Sequence, residues 1–329
     1  MIKRIKTKLI GNCVLVKGIK RSAIYHLFNC KIFLIPNELY FLFKEEFYID
    51  EISKKYLKLF KHLERHDLFY HCYGLNNFNN FKIINPKYSS ASGFYSAYIQ
   101  FPSINRLQKI IEKLDNENCK YYKILIENYY EIELLTDIMM LFNDSLANSI
   151  ELSIVYDKNY HVKKYEKLMD NFARLHIIHM YKSPVNKIDK FELNGNIQFI
   201  NQMTYEFQED DYIGASNSFN VNYYLYAESL KYNNYFNRKI FIDMGGNIKR
   251  TFSETISFGN IFNINLKNIY TNQSFKKYWN IKKDDVAMCK DCEFRYACVD
   301  HRIPIKVKNK TWYFKDKCNY SPYTFIFKK

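Results

Sequence analysis

YSAYIQFPSINRLQKIIEKLDN, residues 95–116, places a strand-like run directly before a helix-like run. The alternation returns at residues 120–143, where KYYKILIE precedes EIELLTDIMMLFN, and at residues 150–175, where IELSIVY precedes VKKYEKLMDNFARL. A further strand-like run, HIIHMY, follows at residues 176–181. Short strands joined by helices of this length favour parallel strands with right-handed crossovers. The sequence therefore predicts an α/β fold, with a degenerate, partial α/β barrel over residues 76–238.

The N-terminal residues follow a different pattern. LIGNCVLVKGIKRSAIYHLFNCKIFLIPNELYFLFKE, residues 9–45, holds strand-like segments at about 8–16 and 23–35 and then a break at Pro36. After this break, apolar residues recur at the spacing of a helix; they are Leu39, Leu42, Phe43, Ile52, Tyr56, Leu59, Phe60 and Leu63. Short strands followed by helices predict a small winged α+β domain over residues 1–75.

Composition excludes several classes of protein. The chain has 329 residues, of which 47% are hydrophobic and 18% aromatic, so it can bury a sizeable core in two or three domains. Its apolar runs are far shorter than the roughly 20 residues of a membrane span. The basic start alternates Lys with apolar residues and has no cleavage site for a signal peptide, so we expect a cytoplasmic protein without a membrane partner.

The net charge of +15 raises the question of nucleic-acid binding. The basic residues are spread along the whole chain, most are Lys, and no nucleic-acid-binding motif accompanies them. This distribution argues against a nucleic-acid partner. A solvated basic surface of this kind can instead attract an acidic protein or peptide.

The eight cysteines fall into two groups. Four stand alone among apolar residues, where a free thiol behaves as a small hydrophobic side chain; they are Cys13, Cys30, Cys72 and Cys119. The other four lie within 30 residues in the pattern C-x2-C-x5-C-x19-C; they are Cys289, Cys292, Cys298 and Cys318. Charged neighbours make this second segment a poor core, so its crowding predicts a metal or cluster site.

The chemistry of the second group supports a single site. A C-x2-C turn lets two thiolates face one ion or cluster, while IPIKVK and TWYFK, around Asn309 and Lys310, form a plausible hairpin that returns Cys318 to the others. Four thiolates suit either tetrahedral Zn²⁺ or an iron–sulfur cluster, and the spacing alone does not decide between them. The neighbouring Arg295, Asp300 and Arg302 are candidates to hydrogen-bond the sulfurs or the hairpin.

No set of residues predicts a catalytic centre. The chain has no GxGxxG motif, no Walker loop and no nucleophile elbow. His176 and His179 are three positions apart in a strand-like run, so their side chains point to opposite faces and are interpreted as core or surface histidines. The acidic segment EFQEDDY, residues 206–212, is interpreted as a solvated loop.

The cysteine segment resembles the C-terminal SPASM domain of radical S-adenosylmethionine (SAM) peptide-modifying enzymes. The resemblance implies a SPASM domain over residues 239–329, with one auxiliary [4Fe–4S] cluster on Cys289, Cys292, Cys298 and Cys318, or alternatively Zn²⁺. Thr251 and Arg302 stand where the family has cysteine ligands of a second cluster, which implies that this cluster is lost. The chain also lacks the C-x3-C-x2-C triplet that binds SAM, so no reductive SAM cleavage is expected.

A second resemblance concerns the N-terminal residues, which are similar to PqqD-type winged domains that bind leader peptides. GNCVLVKG, IPNELY, CKDCEFRYACVDHR and KCNYSPY together resemble the SPASM-domain peptide maturases of grasp-with-spasm systems. This resemblance implies an accessory maturation factor that binds a ribosomally made precursor peptide and acts with an ATP-grasp ligase. The alternative is an iron–sulfur redox or peptide-modifying enzyme whose active site the sequence does not identify.

Overall fold

A computed structural model describes residues 4–73, 78, 85–128, 130–191, 195–201, 219–306, 311–314 and 317–327. The contacts divide these residues into two compact units. Unit 1 consists of the described residues within Met1–Ser89, Glu209–Tyr235 and Tyr278–Lys329. Unit 2 consists of those within Ser90–Gln208 and Phe236–Lys277. Residues 239–277 thus lie with the central part of the chain, and the cysteine segment lies with the N-terminal residues. The three-domain division stays a prediction, and its boundary at residue 75 falls outside the described residues.

The described residues form sixteen strands and seven α-helices. The strands are β1 (Ile5–Leu9), β2 (Cys13–Lys17), β3 (Arg21–His26), β4 (Lys31–Pro36), β5 (Phe47–Tyr48), β6 (Phe69–Tyr73), β7 (Ser96–Gln100), β8 (Tyr121–Ile126), β9 (Ser149–Val155), β10 (Leu175–Tyr181), β11 (Lys187–Lys190), β12 (Asn196–Ile200), β13 (Lys239–Ile242), β14 (Ile248–Lys249), β15 (Pro304–Lys306) and β16 (Trp312–Phe314). The helices are α1 (Asn37–Phe43), α2 (Leu57–Glu64), α3 (Ile104–Asp115), α4 (Ile132–Met140), α5 (Val162–Asn171), α6 (Tyr223–Ser229) and α7 (Leu266–Thr271).

Unit 2 contains one eight-stranded sheet in the order β11-β12-β10-β9-β8-β7-β13-β14. Its six inner strands are parallel, and only β11 and β14 at the two edges run antiparallel to their neighbours. The predicted alternation of strands and helices, the α/β class and the parallel pairing are therefore confirmed. The strand β13, which the sequence placed in the C-terminal domain, hydrogen-bonds to β7 and extends this sheet.

Helix α3 illustrates how the sequence forms this layer. Its buried residues, Leu107, Ile110, Ile111 and Leu114, follow the i, i+3, i+4, i+7 spacing of one helical face. The backbone turns away after the helix, where Asn118 adopts a left-handed conformation with φ of 60°, which asparagine tolerates better than most residues. Because the apolar residues of α3 share one face, its polar residues can face solvent on the other.

Unit 1 contains the antiparallel sheet β2-β3-β4 and the smaller sheet β5-β1-β6. The two predicted N-terminal strands are wrong in extent, because each contains a turn. Gly11 and Asn12 form the turn between β1 and β2, and the turn between β3 and β4 ends at Cys30 with φ of 53°. The apolar residues around these turns hide them from a pattern based on hydrophobicity alone.

The predicted helical spacing from residue 39 to residue 63 corresponds to two helices, α1 and α2, with β5 and two short 3-10 turns between them. Four aromatic rings from this region and β6 pack with centroids 4.9–6.3 Å apart; they are Phe43, Phe47, Phe60 and Phe69. On β3, Ile24 packs into the hydrophobic cluster that contains these rings. Ala23 and Tyr25 pack into a second hydrophobic cluster, which also contains Ala297. The β2-β3-β4 sheet is therefore buried on both faces.

The longest described helix, α3, has 12 residues, well below the roughly 20 that cross a bilayer. None of the described helices combines the length and the apolar character of a membrane span.

Candidate metal centre

Consecutive tight turns position the first three cysteines of the candidate metal centre. Cys289 begins a 3-10 helix over Cys289–Asp291, and the backbone N–H of Cys292 donates to the carbonyl of Cys289 at 3.0 Å. The N–H of Cys298 then donates to the carbonyl of Phe294, also at 3.0 Å. These short-range bonds replace regular secondary structure and turn the segment back on itself.

The fourth cysteine returns through the predicted hairpin. Strands β15 and β16 pair antiparallel, with Ile305 opposite Tyr313, which confirms the pairing; the predicted turn residues Asn309 and Lys310 lie outside the described residues. The carbonyl of Trp312 accepts a bond from the N–H of Ala287 at 2.7 Å. Strand β16 thus runs beside the residues that precede Cys289, and Cys318 follows it.

All four cysteines of the segment line one cavity of about 30 Å³. The other lining residues are Phe219, Lys283, Met288, Arg295, Asp300, Arg302, Tyr320 and Pro322. The structure thus brings Cys318 to the same cavity as the first three cysteines. As the side chains stand in the described part of the chain, no three His, Cys, Asp or Glu residues are arranged to hold a metal ion, so metal ligation stays a prediction.

Two of the sulfurs accept hydrogen bonds from backbone N–H groups two residues further along. Phe294 donates to Sγ of Cys292 and Tyr320 donates to Sγ of Cys318, each at 3.4 Å. Hydrogen bonds of this kind favour the thiolate over the thiol, and they tune the potential of iron–sulfur clusters. The backbone geometry around these two cysteines therefore suits a sulfur that carries negative charge.

A buried ion triplet forms part of the cavity wall. Asp300 accepts a bond from Nζ of Lys283 at 2.6 Å, and Arg302 donates to it through Nε at 2.9 Å and Nη2 at 2.7 Å. The side chains of all three are at most 4% exposed. The triplet places two cations and one carboxylate against the thiols, so it leaves one positive charge that can offset thiolates.

The thiols themselves resist ionisation. Burial raises the pKa of Cys289 to about 11 and that of Cys298 to about 12, while Lys283 opposes the rise in both. Because metal ligation requires thiolates, a metal that binds here must displace protons from these two sulfurs.

Arg295 and Arg302 differ from each other in their roles. Arg295 donates to the side chain of Asp284 at 3.0 Å, to the carbonyl of Lys17 at 2.7 Å and to the carbonyl of Cys292 at 2.9 Å. It therefore ties the C-x2-C turn to strand β2. Arg302, which stands where the resembled family has a cysteine, points its guanidinium at Asp300 and closes the ion triplet.

The cysteine segment also packs on the β2–β3 hairpin of the same unit. The N–H of Ile19 donates to the carbonyl of Asp291 at 2.8 Å, and the hydroxyl of Tyr25 donates to the carbonyl of Glu293 at 2.6 Å. The Glu293 side chain is 1% exposed and pairs with Arg21. The role of Glu293 and these partners could not be read from the sequence, since nothing in a local pattern joins positions more than 250 residues apart. Lys283 was also missed, although its partner Asp300 is only 17 positions away.

Gly18 permits the close approach of the hairpin and the cysteine segment. A Cβ atom at this position would lie 2.4 Å from the carbonyl oxygen of Arg21 and 3.0 Å from the backbone nitrogen of Glu293. Since both are backbone atoms, they can move aside only if the hairpin or the segment shifts. We expect Gly18→Ala to lower the free energy of unfolding of unit 1 by about 1–3 kcal/mol.

Urea unfolding followed by tryptophan fluorescence measures this effect, because both tryptophans of the chain, Trp279 and Trp312, belong to unit 1. Lys20→Ala is the matched control, since Lys20 is an exposed residue of the same β2–β3 turn in unit 1. An unchanged urea midpoint in Gly18→Ala would show that the two segments do not depend on this contact.

Comparison of the chain with protein-family models and with curated proteins gave no match. Support for a function therefore comes from the geometry of the site and from the sequence resemblance.

Proposed function

We propose that this protein is an accessory factor in the maturation of a ribosomally made peptide. In this proposal, unit 1 combines a PqqD-like winged part with a SPASM-like cysteine segment, and unit 2 is a partial barrel that has lost SAM chemistry. The protein binds a precursor peptide and acts beside an ATP-grasp ligase in the cytoplasm. The observation that carries the proposal is the convergence of Cys289, Cys292, Cys298 and Cys318 on one cavity.

The four cysteines are proposed to bind one [4Fe–4S] cluster. The donor set suits such a cluster in kind, because four cysteines line the cavity, two of their sulfurs accept backbone N–H bonds, and two buried cations, Lys283 and Arg302, lie in the same wall. Aromatic and apolar side chains complete the wall, including Phe219 and Tyr320. Such a cluster would contribute free energy to folding. Where its reduction potential permits, it could also carry single electrons. Because protein thiolates occupy every iron, the arrangement favours a structural role.

The size of the cavity favours zinc as a second candidate. A cavity of about 30 Å³ exceeds the roughly 10–15 Å³ that one water molecule needs, so one ion fits without movement of the wall. A cluster of eight atoms needs more room than one ion, so the C-x2-C turn and the residues around Cys318 would have to separate. The same four thiols serve as ligands in both cases.

Anaerobic purification followed by iron, sulfide and zinc analysis tests the metal proposal. The expected result is about four irons and four sulfides per chain with a brown visible spectrum. A colourless protein with one zinc per chain would replace the cluster with zinc and keep the ligands. A protein that binds neither iron nor zinc after reconstitution would remove the metal centre altogether.

The proposed peptide site is the open edge of β4 in the β2-β3-β4 sheet. Strand β4 pairs only with β3 among the described strands, so its other edge can accept an extended peptide by main-chain hydrogen bonds. Leu34 on this strand is 36% exposed and Phe41 on the following helix is 58% exposed. These side chains can supply the apolar contacts that select the peptide, and the net charge of +15 favours an acidic one.

We expect Leu34→Asp to weaken precursor binding by about tenfold or more, because it removes an apolar contact and repels an acidic peptide. Fluorescence anisotropy with a labelled acidic peptide, used in place of the precursor, measures the affinity. Leu57→Asp is the matched control, since Leu57 is also 36% exposed but begins α2 rather than lying on β4. Equal affinities of the two variants would exclude the β4 edge, and capture of the ATP-grasp ligase by the same complex tests the partner.

A further inference from the structure

Three basic side chains of unit 2 line a cavity that the proposed function does not use. Arg106, Lys109 and Lys113 belong to helix α3, and together with Glu112 and Phe262 they border a cavity of about 390 Å³, which we call the α3 cavity. Their spacing of three and four residues puts the three cations on one face of the helix. The volume lies within the roughly 300–1,000 Å³ that is usual for small-molecule sites, so the α3 cavity can hold a small molecule.

Arg106 is held in place by the turn between β13 and β14 and by an aromatic ring. Its Nη2 donates to the carbonyl of Gly245 at 2.9 Å, and its guanidinium carbon lies 4.7 Å from the centre of the Phe262 ring. Gly246 lets this ring approach the turn closely, because its φ is 86° and a Cβ there would lie 2.6 Å from a carbon of the ring. Contact with an aromatic ring is favourable for a guanidinium. The other N–H groups of Arg106 have no partner among the described residues, so they can donate to a ligand.

The two lysines of the α3 cavity differ in how far the protein uses their donors. Nζ of Lys113 donates to the carbonyls of Ile261 at 2.8 Å and of Phe262 at 3.0 Å, so this ammonium group is positioned and keeps one donor. Lys109 is exposed and has no hydrogen-bond or ionic partner in the part of the chain that the structure describes. Both lysines can therefore donate to a ligand, and Lys109 can do so with its whole ammonium group.

The charges around the α3 cavity are not balanced. Arg106, Lys109 and Lys113 carry three positive charges, and Glu112 is the one carboxylate among the lining residues. Within the described residues none of the three cations forms an ion pair. The bonds of Arg106 and Lys113 go to neutral carbonyls, which require a donor but no charge. Like charges three or four residues apart on a helix repel each other and destabilise the helix, and a bound anion would remove this cost.

We infer that the α3 cavity is a binding site for a phosphate group. Three positive charges and one negative charge leave two positive charges, and a phosphate carries close to two negative charges at neutral pH. Its three oxygens can accept bonds from Arg106, Lys109 and Lys113, which approach the cavity from three positions along α3. Guanidinium and ammonium groups are common ligands of phosphate, and their charge strengthens the hydrogen bonds.

The phosphate group can belong to a small organic molecule or be free inorganic phosphate. The partly exposed ring of Phe262 in the cavity wall favours an organic phosphate, because the ring offers an apolar contact to the organic part. A single carboxylate would leave one of the two positive charges unpaired. A dicarboxylate has the right total charge but spreads it over two separate groups, so it is the appropriate ligand for comparison.

Isothermal titration calorimetry on the whole chain in a phosphate-free buffer tests this inference, with inorganic phosphate, glycerol 3-phosphate and the dicarboxylate glutarate as probes. We expect both phosphates to bind more tightly than glutarate, and Lys109→Met to weaken them about tenfold, because it removes a charge-assisted hydrogen bond. Lys163→Met removes one charge from the exposed surface of α5 in the same unit and should leave the affinity unchanged. Tighter binding of glycerol 3-phosphate than of inorganic phosphate would identify an organic phosphate as the ligand, and equal or weaker binding would identify free phosphate.

Three outcomes would overturn the inference: no binding of either phosphate, binding of glutarate at least as tight as that of the phosphates, or equal affinities in Lys109→Met and Lys163→Met. Both variants are expected to fold, because each replaces an exposed side chain, and circular dichroism checks this. The α3 cavity lies wholly within unit 2 and involves neither a cysteine nor β4. Its failure would therefore leave the metal and precursor proposals untouched.

Discussion

Cys289→Ala is expected to abolish metal binding and to unfold the cysteine segment of unit 1. Removal of one of four ligands leaves a site that cannot close around an ion or cluster, and the free energy of metal binding is coupled to folding. We expect the metal content to fall below about a tenth of that in the wild type, and the free energy of unfolding of unit 1 to fall by about 5 kcal/mol or more. Metal analysis and tryptophan fluorescence during urea unfolding measure the two effects.

The fluorescence signal makes this prediction specific to one unit. Trp279 and Trp312 both lie in unit 1, whereas far-ultraviolet circular dichroism also reports the eight-stranded sheet of unit 2. We expect the fluorescence transition to shift to lower urea while part of the dichroism transition stays in place. Cys30→Ser is the matched control, since Cys30 is an exposed free thiol of the same unit. Full metal content and an unchanged fluorescence transition in Cys289→Ala would refute the four-cysteine centre.

The sequence predicts the large sheet well because its signals are local. Each strand of β7 to β10 is a short run rich in apolar residues, and the helices that follow β7, β8 and β9 repeat their apolar residues on one face. Parallel pairing follows from this alternation, since a helix between two strands returns the chain to the same end of the sheet. Strand β13 could not be assigned to this sheet from the sequence, because more than 130 residues separate it from its neighbour β7.

The four cysteines could also be predicted, because their crowding is visible in a single segment. The side chains that surround the cysteines could not be predicted in this way. Lys283 precedes the first cysteine by six residues and resembles any solvated lysine until Asp300 is placed beside it. The pairing of Arg21 with Glu293 spans 272 positions, so only the fold brings the two together.

Asp300→Asn is expected to cause the second large effect, a loss of about 3–5 kcal/mol in the free energy of unfolding of unit 1. Asp300 is fully buried, and it is the carboxylate that Lys283 and Arg302 share. Asparagine has nearly the same shape but no charge, so both cations remain buried without their counter-charge. Asp285→Asn, an exposed position in the same segment, should change the free energy by no more than about 0.5 kcal/mol.

Removal of one of the two cations should partly reverse the effect. The double variant Lys283→Met/Asp300→Asn buries only the charge of Arg302 without a counter-charge, whereas Asp300→Asn alone buries two such charges. We therefore expect the double variant to be more stable than Asp300→Asn alone. Such recovery requires that the two side chains interact directly, because independent sites would add their losses. The measurement is made on metal-loaded and on metal-free protein. If Asp300 acts only by holding the metal, Asp300→Asn will not lower the free energy of unfolding of the metal-free protein. If the ion triplet stabilises the fold itself, as its burial indicates, Asp300→Asn will lower the free energy of unfolding of both forms.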